Sequence, residues 1–156
     1  MIWVDGSDIN IKQFSGEELC EKIATDMYGT DNGQWLKCSD FIQNALFIID
    51  FDTVLNMEGV PTPYFGYFSK EYYSKIVRAF QTIGDVNDAE ILLKAGRIDS
   101  FYSKILDDKK GTDEWSAIYD EFNGKLEQLE QGLYINTDFD IWSLLSNYLD
   151  NNIKSC

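Results

Sequence analysis

Two groups of carboxylates in this chain have the types and spacing to do chemistry. The first lies in Phe47-Ile48-Ile49-Asp50-Phe51-Asp52-Thr53-Val54-Leu55, an apolar run followed by two aspartates two positions apart. The run reads as an apolar strand that ends in a pair of carboxylates, a pattern open to enzyme chemistry. The second group is a set of rows. Asp113, Asp120 and Glu127 recur every seven residues, Glu114 and Glu121 form a parallel row, and Asp138 and Asp140 stand at the start of the next helical segment. Seven helical residues rise about 10.5 Å and adjacent turns place side chains about 5 to 6 Å apart. Those spacings are of the order of the separations between backbone phosphates, so such rows can engage the lysines and arginines that would otherwise hold a polynucleotide. The ordinary alternative is a solvated helix face that keeps the chain in solution.

Charge favours the second group. The chain carries 27 Asp and Glu against 13 Lys and Arg, no histidine, and a net charge of -14 over 156 residues. From Asp113 to Asp150 nine acids are opposed only by Lys125, a steeper imbalance than in the rest of the chain. Such a surface repels nucleic acid and anionic membrane and attracts cationic partners at long range. Without histidine the commonest general base and metal ligand is missing, which lowers the expectation of catalysis. The binding reading that the charge favours implies no cofactor or metal. Cys20, Cys38 and Cys156 are an odd number without ligand spacing, read as reduced thiols of a cytoplasmic protein, two of them core residues and the last a loose terminal thiol. No basic-then-apolar leader or long apolar run is visible, so neither export nor a membrane span is expected.

The elements that must position these carboxylates read as helices. Ser15 and Glu18 form a capping-box pattern ahead of Leu19, Ile23 and Met27, giving a helix from about residue 16 to 28. Gly29 to Gly33 interrupts it. Phe41, Ala45, Ile48, Ile49 and Leu55 mark a second helix leading to a loop with Pro61 and Pro63. Ser69 opens a third, carrying Tyr73, Ile76, Val77 and Phe80 and stopped by Gly84. Asn87 with Glu90 resembles another cap, after which Ile91, Leu92, Ala95, Ile98, Tyr102 and Ile105 keep helical phase. Trp115, Ile118, Tyr119, Phe122, Leu126, Leu129 and Leu133 step by three or four along a helix from about 113 to 134, and a last helix covers about 138 to 151. Asn123-Gly124, a dipeptide that favours turns, is the weak point of the longer one. The expected fold is all-α: one compact multi-helix domain of about six helices over residues 1–156, with residues 1–14 irregular. Ten Phe, nine Tyr and four Trp supply its core, and Trp35 is expected to be buried.

The stretch Phe51 to Gly59, the aromatic pair Tyr64-Phe65, the segment Ala79-Phe80-Gln81-Thr82-Ile83-Gly84 and the segment Ala89 to Ala95 resemble, in order and spacing, the bacterial DNA-mimic protein nineteen family. Tyr119-Asp120-Glu121-Phe122, followed by Leu126, Leu129 and Tyr134-Ile135, resembles its closing segment, so the likeness runs from about residue 40 to 150. Met57-Glu58-Gly59 stands where the family has an Asn-Gly-Gly-like turn. The resemblance implies an all-helical acidic protein that occupies the DNA-binding surface of a basic protein such as a helix-turn-helix regulator, with no catalytic residues. The Asp-x-Asp-x-Val-Leu order at Asp50 is similar to the first motif of haloacid-dehalogenase-like phosphatases, a resemblance that implies Asp50 as the nucleophile for phosphorus, Asp52 as the acid and base for the leaving group and magnesium between them. That motif normally opens an α/β domain, however, whereas here helical patterning precedes it, so the enzyme reading is the weaker alternative. A third reading is a cytosolic immunity or antitoxin protein that blocks a basic toxin. The expected contact residues are Asp113, Glu114, Asp120, Glu121 and Glu127, with Asp138 and Asp140 added. The expected partner is a basic DNA-binding protein or toxin, with no direct nucleic-acid or membrane binding and a possible homodimer.

Overall fold

Local chemistry sets most helix boundaries in the computed structural model, which describes all 156 residues. Helix α1 (Gly16–Asp26) opens on a capping box: the Glu18 N–H donates to Ser15 Oγ at 3.1 Å and the Ser15 N–H donates to the Glu18 carboxylate at 2.8 Å. Each bond satisfies a donor that a helix start leaves unpaired. A one-turn α2 (Asn32–Trp35) follows, then α3 (Asp40–Glu58). Helix α4 (Lys70–Ile83) is capped by Ser69 and ends where Gly84 takes the left-handed conformation at φ +94°, which a glycine adopts without a Cβ clash. Helices α5 (Val86–Asp108), α6 (Trp115–Glu130) and α7 (Ile141–Ser155) complete an all-α chain. Short 3-10 turns lie at Ile11–Gln13, Met27–Gly29, Pro63–Phe65 and Tyr134–Asn136, and the only extended pairing is an isolated bridge between Ile2 and Asp8.

Several boundaries differ from the sequence reading, and α7 spans Ile141–Ser155 and not about 138 to 151, because Asp140 caps it. Helix α5 is capped by Asp85, not Asn87, because the Asp85 carboxylate accepts the Asp88 N–H at 3.0 Å immediately after the Gly84 turn. Helix α6 starts at Trp115 and stops at Glu130, so Asp113 and Glu114 precede its first turn and Leu133 belongs to the turn beyond it. Asn123-Gly124 does not break α6. A glycine inside a helix costs about 1 kcal/mol relative to alanine, and burial of Phe122 and Leu126 on either side outweighs it.

One hydrophobic core of 37 residues runs through the molecule. Helix α3 is its centre and buries Phe41, Ile42, Ala45, Leu46, Phe47, Ile48, Ile49, Phe51, Val54 and Leu55 against α1, α4 and α7. A helix apolar on nearly every side loses the amphipathic stripe and leaves a continuous apolar run in sequence, which is why Phe47 to Leu55 can be mistaken for a strand. Helices α4, α5 and α6 pack successively, each against the next, while α7 lies on α1. Trp3, Val4 and Trp35 are buried, which anchors the irregular N-terminal segment.

The α1–α7 crossing depends on one missing side chain. A Cβ on Gly16 would lie 1.9 Å from the Ser146 carbonyl oxygen and 2.9 Å from the Asp150 backbone nitrogen. The backbones approach this closely because the Gly16 N–H donates to Asp150 Oδ1 at 2.6 Å. Gly16→Ala must push the two helices apart and stretch that bond. The expected loss is about 3 kcal/mol, measured as a lower urea midpoint with an unchanged slope.

Candidate protein-binding surface

Aromatic packing fixes the rotation of α6. Phe122 is fully buried and stacks on Tyr102 of α5 at 5.5 Å and on Phe65 at 5.7 Å, with Tyr64 edge-on at 5.5 Å. Tyr119 meets Phe65 edge-on and stacks on Trp115 at 5.0 Å. The Tyr64 N–H donates to the buried Asp99 carboxylate at 2.8 Å, which ties the aromatic loop to α5. With Phe122 and Leu126 turned inward, the helical period points Asp120 and Glu127 outward, within about 20° of one another, and places Glu121 about 100° to one side.

All seven carboxylates singled out from sequence are exposed. Asp120 and Glu127 share the outward face of α6, and Glu127 accepts only a 3.3 Å bond from the Asn123 side chain. Glu121 accepts the Tyr102 hydroxyl at 2.8 Å, and the bond, after burial, holds that phenol above its ordinary pKa. Asp113 forms no ion pair, whereas Glu114 pairs with Lys109 at 2.9 Å. Asp140 is the cap of α7 and accepts the Trp142 and Ser143 N–H groups, each at 3.1 Å. The Ser143 bonds keep its carboxyl below the usual range. Asp138 lies in the turn before it. The row of three at heptad spacing is therefore two carboxylates on α6 plus Asp113 in the preceding turn. Of the same nine acids, Glu130 and Asp150 are half-buried, and Asp150 serves the α1 start described above.

The first turn of α5 holds the connection from α6 to α7. The Tyr134 N–H donates to Asp88 Oδ1 at 2.9 Å, and the Asn87 side chain donates to Asp88 at 3.0 Å and to the Gly132 carbonyl at 3.0 Å. Asp85 and Asp88 are both buried, and one oxygen of Asp85 has no partner. Burial, then the neighbouring Asp88 carboxylate, pushes Asp85 up to about 8 from an ordinary 3.8. The folded protein therefore keeps a proton on Asp85 that the unfolded chain releases. Stability from this group falls as pH rises from about 4 to about 8 and then levels. Asp85→Asn keeps the capping oxygen, offers an N–H toward Asp88 and cannot ionise. The variant is expected to match wild type near pH 4 and to melt about 3 °C higher at pH 8, about 1 kcal/mol in a chain of this size. Thermal unfolding at both values checks it.

Asp50 and Asp52 do not form a phosphatase site. Both lie inside α3 rather than at a strand end, and two helical positions separate their side chains by about 200°. Asp50 accepts the Tyr28 hydroxyl at 3.1 Å and the Tyr72 hydroxyl at 2.6 Å, bracing α3 against α4. Asp52, half-buried and raised by desolvation, accepts only the Asn56 side chain at 3.3 Å. No three His, Cys, Asp or Glu side chains converge where a metal could be held.

A model of the DMP19-like protein family matches residues 37–152, from the approach to α3 into the last turns of α7. The chain belongs to that family. The matched region of this DMP19-like chain contains the aromatic loop, the Asp85–Asp88 anchor and the outward face of α6, so the elements that aim the carboxylates all lie within it. No curated protein and no solved structure matches the chain. No helix is long and apolar enough to cross a membrane. Spacing alone missed three features of this DMP19-like chain: the tyrosines on Asp50, the aromatic stack around Phe122 and the burial of Asp85, Asp88 and Asp99. Only the capping role of Asp85 had a signal, since an aspartate directly after a helix-stopping glycine is well placed to cap the next helix.

Proposed function

We propose that this protein binds the cationic DNA-contacting surface of a partner such as a helix-turn-helix regulator, offering helix-mounted carboxylates in place of phosphates. Support comes from membership of the DMP19-like family and, above all, from the outward face of α6. There Asp120 and Glu127 stand exposed without a lysine or arginine bonded to either. Asp113 before the helix and Asp138 beyond it extend the same unneutralised set. A DNA-binding protein draws its sequence-independent affinity from cations that neutralise phosphates, and carboxylates fixed on a rigid helix compete for those cations without carrying base information. Exposed carboxylates mounted on a helix support a binding role.

Affinity capture from the source cell with the intact chain, at low and at moderate salt, tests this reading. The expected result is a DNA-binding regulator retained at low salt and released as salt rises. Retention of a nuclease or other toxin, with its enzymatic activity blocked, overturns it in favour of an immunity role.

A further inference from the structure

The acidity is not spread evenly over the molecule. Between Lys70 and Lys104 lie six of the 13 cations, while three of the five acids in that stretch, Asp85, Asp88 and Asp99, are buried. On the outward side of α5, Lys94, Arg97 and Lys104 are exposed and none is bonded to a carboxylate; the acids on that side are Glu90 and, one turn beyond Lys104, Asp108. Interleaved with these cations are Val86, 60% exposed, Leu93, 41%, and Phe101, 63%, three of the large apolar side chains the fold leaves in water. At about 100° per residue, these cationic and apolar positions fall within roughly a third of the helix circumference and extend for about 27 Å along it. Beside them a cleft of about 550 Å³ between α4 and α5 adds Lys70 and Arg78 to the cationic wall.

We propose that this face of α5 is a second docking surface, opposite in sign to α6, and that it takes an acidic amphipathic helix of a partner protein. Apolar residues spaced by seven and eight along a helix fit the anchors of a second helix laid beside it. Flanking cations select a partner whose rim is acidic. A second copy of the chain pairing through the same face would bring Lys94, Arg97 and Lys104 of both copies together. A nucleic acid would meet the net charge of -14 at long range and exposed apolar side chains at the centre of the contact. An anionic membrane meets the same long-range repulsion.

The test uses the full-length chain and a synthetic acidic peptide about 18 residues long, a length that spans about 27 Å as a helix, with leucines on one face and glutamates elsewhere. Backbone amide NMR shifts are followed during titration. Saturable shifts confined to α5 from Val86 to Lys104, and affinity weakened about tenfold in Phe101→Ser and in the double variant Arg97→Glu, Lys104→Glu, support the proposal. Asp120→Lys is expected to leave this titration unchanged, which separates the surface from the one proposed on α6. Three results overturn the proposal: no saturable shifts on α5, equal binding of a scrambled peptide of the same composition, or binding of single-stranded DNA or phosphatidylserine vesicles to this face as tight as that of the peptide. Circular dichroism of the variants verifies that these exposed substitutions leave the helices formed.

Discussion

Reversing Asp113, Asp120 and Glu127 to lysine is expected to weaken binding to the cationic partner about a hundredfold at low salt while leaving the helical circular dichroism unchanged. These three are the informative choice because none forms an ion pair and none caps a helix. By contrast Glu114 is paired to Lys109, Glu121 braces Tyr102 and Asp140 starts α7. Exposed charge contacts are individually modest, and reversal replaces each attraction by repulsion. Three together reach about two orders of magnitude in affinity. Salt supplies the second signature. At high ionic strength exposed charges are screened within a few ångströms, so the gap between variant and wild type must close as salt rises. Equal affinity of the two proteins at low salt would remove these positions from the contact surface.

Phe122→Ala is expected to destabilise the protein by about 3 to 5 kcal/mol, the largest effect of any single core change proposed. Phe122 is the ring on which Tyr64, Phe65 and Tyr102 converge, so its loss empties a space bounded by three aromatic neighbours. Because those contacts join the 63–65 turn, α5 and α6, partner affinity is also expected to fall, through loss of the rotation that aims Asp120 and Glu127 outward. Chemical denaturation measures the first effect. Binding well below the unfolding midpoint measures the second, and unchanged affinity there would show that the carboxylates do not need this support.

The helices with one apolar stripe and a marked start were readable from residues alone. Ser15 with Glu18, Ser69 with its following stripe, and Gly84 all signal their roles through side-chain chemistry that acts within a few residues. Helix α3 was harder, because a segment buried on nearly every side has no polar face to set a period. Its apolar run ending in Asp50 and Asp52 therefore suggested a strand and a phosphatase motif. Exposure of the α6 acids could be inferred from the stripe opposite them. The burial of Asp85, Asp88 and Asp99 depends on groups brought from elsewhere, notably the Tyr134 and Tyr64 N–H donors, and no local pattern carries that information. The cationic face of α5 lay hidden beneath a net charge that describes the whole chain and not its distribution.

If the proposed function holds, the partner's DNA-contacting surface offers the same cations to a duplex and to this protein's carboxylates. Competition decides this: the purified partner is bound to a labelled duplex carrying its recognition site, and this protein is titrated in at constant salt. Full displacement of the duplex, with the apparent affinity falling in proportion as duplex concentration rises, is the predicted result. A stable ternary complex of partner, duplex and this protein would contradict it.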